Sequence, residues 1–414
     1  MSAEEHASTQ EWPDKTKIQH PANGAIVMMG EKVVKPVNLG RWISLLDEYH
    51  VTSLQFDAIL RGVLRPGLSP ASPEVVAALD EWPEAAYLQS ENGSTEVVLV
   101  YQAREVPKRV PWLQVGLFVA TLMTTLAAGA LMAGRDPFGT EVLTFGGVVI
   151  PYPSGIDWQV LFLGAPFALP FLGILLAHEM GHYAAAVAHR VRVTLPYFIP
   201  FPPYFSIIGT VGAFIRQKSP MVRRVVLFDV GSSGPMASFV LSAPLFAVGL
   251  GLSEPVAGDV SLATPFAINF VGQTVWLGNS PGTHLLAALF APGSVGESLI
   301  LLHPFALVGW LGLFVTALNL LPLGQLDGGH ILYALIPKRH GTVAKTFLFV
   351  LIPLGFVWWG WWAWAFLVLF INKGQVNHPK VVQPEKTIDR GRRFLGWAMI
   401  AMFFLTFVPV PLEL

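Results

Sequence analysis

Residues 160–182 read VLFLGAPFALPFLGILLAHEMGH, an apolar run that closes on two histidines and a glutamate. His178 and His182 are four positions apart, so a helix puts them on one face, where they can share one metal ion. Glu179 follows His178 by one position, about 100° further round a helix, within reach of a water on that metal. The apolar run is long enough to cross much of a bilayer. Ionisable side chains inside such a helix are costly unless they have a task.

Composition places the rest of the chain around that helix. Of 414 residues, 53% are hydrophobic and 13% charged, against roughly 25% charged in soluble domains. The mean hydropathy is +0.54. These values predict a mainly α, polytopic membrane protein. The formal net charge is −1, which offers no argument for a nucleic-acid partner. The chain contains no cysteine, so disulfides, thiolate ligands and a cysteine nucleophile are excluded. A metal must be held by His and carboxylate, a donor set that suits a catalytic zinc with an open position. The first thirty residues are polar and do not resemble a cleavable signal peptide. The span near Trp112 is expected to insert the chain instead.

Three regions are expected: an N-terminal soluble region over 1–106, a membrane core over 107–340 and C-terminal membrane segments over 341–414. In the first, residues 1–23 read as a tail and residues 37–103 as a small α/β domain. Arg41 to Tyr49 and Ser53 to Leu64 have helical spacing, and Ser72-Pro73 opens another helix. Asn92-Gly93 marks a turn before a strand from Glu96 to Tyr101. About six spans follow, at 112–133, 159–188, 223–252, 300–322, 344–371 and 394–411. Lys108, Arg109, Arg190, Arg192, Arg223, Arg224, Lys338 and Arg339 flank their ends, and residues 253–300 contain no Lys or Arg. The positive-inside rule then puts the N-terminus, residues 190–222 and Lys338 in the cytoplasm. Lys373, Lys380, Lys386, Arg390, Arg392 and Arg393 conflict with simple alternation. Either 344–371, with Trp358, Trp359, Trp361, Trp362 and Trp364 in its middle, is a re-entrant or hairpin segment, or the rule fails there. Between the second and third spans, Pro196, Pro200, Pro202 and Pro203 precede a strand-like stretch from Ile207 to Ile215. A membrane-associated β segment there could pair with an extended peptide; a plain loop is the alternative.

A catalytic zinc needs three protein ligands and one open position. After His182 the acidic residues are Asp229, Glu254, Asp259, Glu297, Asp327, Glu385, Asp389 and Glu413. Asp327 lies at the end of the fourth span, at the depth where the second delivers His178 and His182, and is the best candidate; Asp229 is a weaker rival. Pro322 ends the helix before it, and Gly328-Gly329 let backbone pass close to the site.

H-E-x-G-H in one span, with Asn319-x-x-Pro322 and Leu326-Asp327-Gly328-Gly329 in a later one, resembles the site-2 protease family of intramembrane zinc metalloproteases. Gly234-Pro235-Met236-Ala237-Ser238 resembles that family's central small-residue segment. The resemblance covers roughly 112–340. It implies one zinc per chain held by His178, His182 and Asp327, Glu179 as catalytic base, and Asn319 as a polar group near the substrate carbonyl. It implies a single-span membrane-protein substrate within the lipid bilayer, cut from the cytoplasmic side. No PDZ domain is evident, because residues 253–299 are too few, and no CBS pair follows the core. An idle relative that binds membrane helices and a metal transporter are the alternative readings. On residue type alone, Gly234 to Ser238 reads as close helix packing, His330 as a solvated helix-start histidine with a supporting contact behind the metal ligands as the alternative, and His189 and Arg190 as interface residues.

Overall fold

A computed structural model describes residues 28–29, 32–33, 39–54, 57–82, 86–91, 94–102, 111–145, 148–218, 221, 223–256, 261–291, 298–371, 374, 376–378 and 388–413. Two compact units emerge, residues 1–110 with 217–220, and residues 111–216 with 221–414.

In the first unit a short strand pair, β1 (Met28–Met29) and β2 (Lys32–Val33), precedes helix α1 (Leu39–Leu45). Strands β3 (Leu46–Leu54), β4 (Asp57–Leu64), β5 (Ala86–Glu91) and β6 (Ser94–Gln102) form an antiparallel sheet in the order β3-β4-β6-β5. Helix α2 (Pro73–Asp80) starts where Ser72-Pro73 predicts. The core gathers Trp42, Leu46, Leu60, Leu64, Val75, Trp82, Val97 and Leu99. The helices expected over Arg41–Tyr49 and Ser53–Leu64 are corrected. Leu39–Leu45 is helical, and residues 46–54 and 57–64 are antiparallel strands that pair Leu46 with Leu64 and Leu54 with Asp57. Val51, Thr52, Ile59 and Val63 favour strand, and Gly62 lets β4 lie against the Glu48 carbonyl, which a Cβ would meet at 2.6 Å. Asn92-Gly93 lies outside the described residues, between paired β5 and β6.

The second unit is mainly helical. Among the described residues, four helices are long and apolar enough to cross a membrane by length and composition: α3 (Trp112–Met132), α5 (Ala165–Ala188), α6 (Arg224–Gly251) and α10 (Pro337–Val357). Shorter apolar helices are α8 (Pro304–Asn319) and α11 (Gly360–Ile371), and α12 is Arg390–Thr406. The stretch read as one span from 159 is two helices, α4 (Trp158–Phe162) and α5. The Asp157 carboxylate caps α4 by accepting from the N–H groups of Gln159 and Val160. Gly164 breaks the run where a Cβ would collide with the Leu126 carbonyl of α3. Helices α6 and α8 meet backbone to backbone: a Cβ on Gly249 would strike Ala306, and one on Gly309 would strike Phe246. Small residues permit that approach between apolar helices.

Residues 191–216 are more than a loop. After α3, strands β7 (Phe138–Phe145) and β8 (Val148–Ile156) pair antiparallel, and within 191–216 strand β9 (Tyr197–Pro200) pairs antiparallel with β10 (Thr210–Phe214) around a 3-10 turn at Pro203–Phe205. The hairpin runs along α3. Phe198 meets Phe118 edge-on at 5.0 Å, Gly209 lies against the Thr124 backbone, and the Tyr204 hydroxyl donates to Asp136 at 2.8 Å. Phe118 to Met132 is about 20 Å of helix. The β segment expected over 207–215 is present, with a first strand among the prolines that proline content concealed.

A five-stranded sheet follows α6, with β11 (Glu254–Val256), β12 (Phe266–Phe270), β13 (Gln273–Leu277), β14 (Leu299–Leu301) and β15 (Leu412–Glu413) in the order β11-β14-β12-β13-β15. Helix α7 (Pro281–Phe290) lies within it in sequence, opened by a Ser280–Thr283 capping box. Because β15 pairs with β13, the far end of α12 lies beside the 254–301 segment.

The apolar stretch 344–371 is a helical hairpin rather than one span. Trp358 leaves α10 in extended conformation (φ −148°, ψ 113°). The Trp362 indole N–H donates back to the Ile352 carbonyl at 3.0 Å, and the Trp361 indole N–H donates to Pro409 O, beyond α12, at 2.7 Å. After α11 the chain returns to helix α9 (Asp327–Leu335), where Val376 O accepts from Gly324 N–H at 3.0 Å. Lys338, Arg339 and the start of α12 therefore share one end of the helices.

Candidate metal centre

Helix α5 carries His178 and His182 one turn apart, both buried at 3% and 7% exposure. Helix α9 starts at Asp327. Their ligand atoms form a nearly equilateral triangle: His178 Nε2 to His182 Nε2 is 3.1 Å, and each Nε2 lies 3.3 Å from Asp327 Oδ2. Ligands about 2.0 Å from a tetrahedral ion are separated by about 3.3 Å, so two imidazoles and one carboxylate fit a zinc ion. Among the described residues this is the group of three that could hold a metal.

The rings are held by their other nitrogens. His182 Nδ1 donates to the Val230 carbonyl at 2.6 Å, which leaves Nε2 as the lone-pair nitrogen. His178 Nδ1 lies 3.1 Å from Ser238 Oγ. Ser238 Oγ is 2.8 Å from Thr316 Oγ1, and the Thr316 hydroxyl donates to Gly312 O at 2.7 Å. With the Thr316 proton committed, the Ser238 hydroxyl has Thr316 Oγ1 and the Pro235 carbonyl, at 3.1 Å, as acceptors; it then accepts from His178 Nδ1–H, and His178 also presents Nε2 to the metal position. Such outer contacts set tautomer and ring orientation. A Cβ on Gly234 would collide with the His182 ring, and one on Gly181 would come within 2.6 Å of Ser233 O. The reading of Gly234–Ser238 as close packing is thus incomplete, because the segment makes room for one ligand and bonds to the other.

Glu179 is buried beside the pair at 7% exposure, with the Ile215 backbone N–H, just past β10, near its carboxylate. Asn319, the last residue of α8, brings Nδ2 to 3.2 Å from His178 Nε2. The turn 320–326 reverses the chain into α9. Pro322 lies in it, Gly324 takes φ +50°, and Cβ atoms on Gly328 and Gly329 would collide with the Leu320 and Gly324 carbonyls. Those glycines therefore fold α9 against its own turn. At the other end of α9, the buried Arg224 guanidinium donates to Ala334 O from Nε at 3.1 Å, satisfying a helix-end carbonyl.

Asp229, the rival ligand, is engaged elsewhere. It pairs with His189 at 2.7 Å and takes two bonds from Arg392, at 2.6 and 2.7 Å. Arg392 also bonds Asp389, and its backbone and side-chain donors hold the Asp389 carboxyl below the ordinary carboxylate range. His189 thus belongs to a charge network joining α5, α6 and α12. His330 is half-buried and bonded to His378 at 2.8 Å, so its reading as a solvated helix-start residue is corrected. Sequence reasoning missed Ser238, Thr316, Ile215 and His378 as neighbours of the site. For Ser238 the Gly-Pro-x-x-Ser pattern was a usable signal.

Residues 166–357 match the model of Peptidase family M50. The protein named "Probable zinc metalloprotease EGY1, chloroplastic" of Arabidopsis thaliana is 39% identical over 241 residues, covering 58% of this chain and 42% of that protein. Its namesake from Oryza sativa subsp. japonica is 35% identical over 54% of this chain and 37% of its own length. "Probable zinc metalloprotease EGY2, chloroplastic" of Arabidopsis thaliana is 27% identical over 61% and 43%. The chain spans less than half the length of these relatives. No solved structure matches it significantly. The two histidines of α5, and Asp327 that completes their triangle, all fall inside the stretch that matches the model of Peptidase family M50.

Proposed function

We propose that this chain is an intramembrane zinc metalloprotease that hydrolyses a peptide bond within or near the transmembrane helix of a single-span substrate. The observation that carries the proposal is the triangle of His178, His182 and Asp327, with Glu179 buried beside it, on helices apolar enough to span a bilayer. Zinc, when bound there, acidifies a water molecule and polarises a carbonyl. Glu179 serves as general base: its carboxylate, buried beside the metal position, takes the proton of the attacking water and delivers it to the leaving nitrogen. Asn319 Nδ2 is aimed at the same position and donates to the developing oxyanion. Val230 O and Ser238 hold the histidine tautomers throughout. The edge of β10 next to Glu179 offers backbone donors and acceptors to an unwound substrate segment.

The proposed layout places α3, α5, α6, α8 and α12 across the bilayer, with α10 and α11 entering and returning as a hairpin. The end bearing Arg190, Lys338, Arg339 and Arg392 faces the cytoplasmic side, and the 254–301 sheet faces the other. Residues 1–106 form a separate soluble region, 107–340 the proteolytic core, and 341–414 its C-terminal membrane segments.

The test uses full-length protein in detergent and a single-span substrate, comparing wild type with Glu179→Gln at known zinc content. Zinc-dependent cleavage by wild type, and none by a Glu179→Gln variant that retains zinc, is the expected result. Equal cleavage by both forms would overturn the assignment of Glu179.

A further inference from the structure

We infer that the short segment Val376–His378, beyond the matched M50 stretch, is a clamp that fixes the metal ligand Asp327, with His378 as a positioning residue of the zinc centre. The inference rests on the metal reading above. The segment grips the Asp327 turn on both sides. Three residues before Asp327, the buried N–H of Gly324 donates to Val376 O at 3.0 Å. Three residues after it, His330 Nδ1 and His378 Nε2 share a hydrogen bond of 2.8 Å. The His378 ring also stacks on Tyr333, one turn further along α9, with centroids 4.6 Å apart and planes 30° apart. The His378 backbone N–H points at Nδ1 of buried His340 at 3.5 Å. Asn377 packs on Gly341, where a Cβ would come within 2.8 Å of its Oδ1.

The turn at 320–326 needs such a partner. It is irregular backbone between two helices, and its buried N–H groups require acceptors. Helix α9 has nine residues, too short to hold its own first turn firmly. Asp327 is that first residue, and a displacement of a few tenths of an ångström would open the triangle it closes with His178 and His182. The α10–α11 hairpin thus has a structural purpose: it returns the chain to α9 and delivers the clamp.

The experiment measures zinc affinity of the full-length protein by chelator competition, records the visible d–d bands of the cobalt-substituted protein, and follows unfolding of the metal-free protein. His378→Ala should weaken zinc binding about 10–100-fold, as loss of an outer-sphere contact does, and alter the cobalt bands. The metal-free unfolding midpoint should hardly move. His378→Gln, which can still bond His330, should recover most of the affinity. His330→Ala should reproduce the His378→Ala loss, and the double variant should lose no more than either alone. If one variant does not fold, the other carries the same test. Wild-type affinity and unshifted cobalt bands in a folded His378→Ala or His330→Ala variant overturn the clamp alone. Failure of the wild-type protein to bind zinc overturns the metal reading and the clamp with it.

Discussion

Ser238→Ala removes one hydroxyl oxygen from the centre of the fold and leaves all three metal ligands in the chain. His178 is buried at 3% exposure, and its Nδ1–H has Ser238 Oγ as partner at 3.1 Å. The methyl group that replaces the hydroxyl accepts nothing, and position 238 is buried at 1% exposure. A buried donor left without its acceptor costs about 1–3 kcal/mol. The ring can recover part of that by shifting its proton to Nε2, but that tautomer cannot ligate the metal. The cost therefore falls on the metal-bound state, and at about 1.4 kcal/mol per decade it corresponds to a loss of roughly 10–100-fold in zinc affinity. Thr316 keeps its own acceptor, Gly312 O, at 2.7 Å, so helix α8 stays in place. The assay is zinc competition against a chromophoric chelator in detergent, with unfolding of the metal-free protein as control. A folded Ser238→Ala variant that binds zinc as wild type does would refute the hydrogen-bond relay and return Gly234–Ser238 to a packing role.

Gly234→Ala should abolish high-affinity zinc binding, because its Cβ would occupy the His182 ring position; metal content after purification checks this. Glu179→Gln should retain zinc and lower kcat by roughly 10²–10⁴-fold, measured by substrate cleavage at matched metal content. Arg392→Ala should destabilise the protein by about 1–2 kcal/mol, the low part of the range for bonds to charged groups, because 35% of its side chain meets solvent. Thermal unfolding in detergent reads that change, and zinc affinity should be unaltered. The chain has no cysteine, so single substitutions report sidedness cleanly. Lys338→Cys and Arg390→Cys should be labelled from one side of sealed vesicles, and Leu262→Cys from the other.

Local patterns carried much of this architecture. His178 and His182 are one helical turn apart, and a helix of any origin would align them. Asp327 was legible because a Pro and two glycines surround a lone carboxylate at the right depth. The fold overrode local pattern in residues 46–64, where helical spacing yielded to the pairing of Leu46 with Leu64. The apolar stretch 344–371 concealed its break because both arms are hydrophobic; the tryptophans and the Lys/Arg cluster after it hinted at the turn. Ser238, Thr316 and His378 could not be identified as site neighbours from spacing. Their partners lie 60, 78 and 48 positions away, and only the packing of α5, α6, α8 and α9 unites them.

The most direct measurement is the position of the cut. Full-length protein and an isotopically labelled single-span substrate would be reconstituted together in lipid vesicles, and the fragments mapped by mass spectrometry. The account predicts a zinc-dependent cut within the apolar segment or at its edge, absent with Glu179→Gln. Cleavage confined to soluble parts of the substrate, or unaffected by Glu179→Gln, would contradict it.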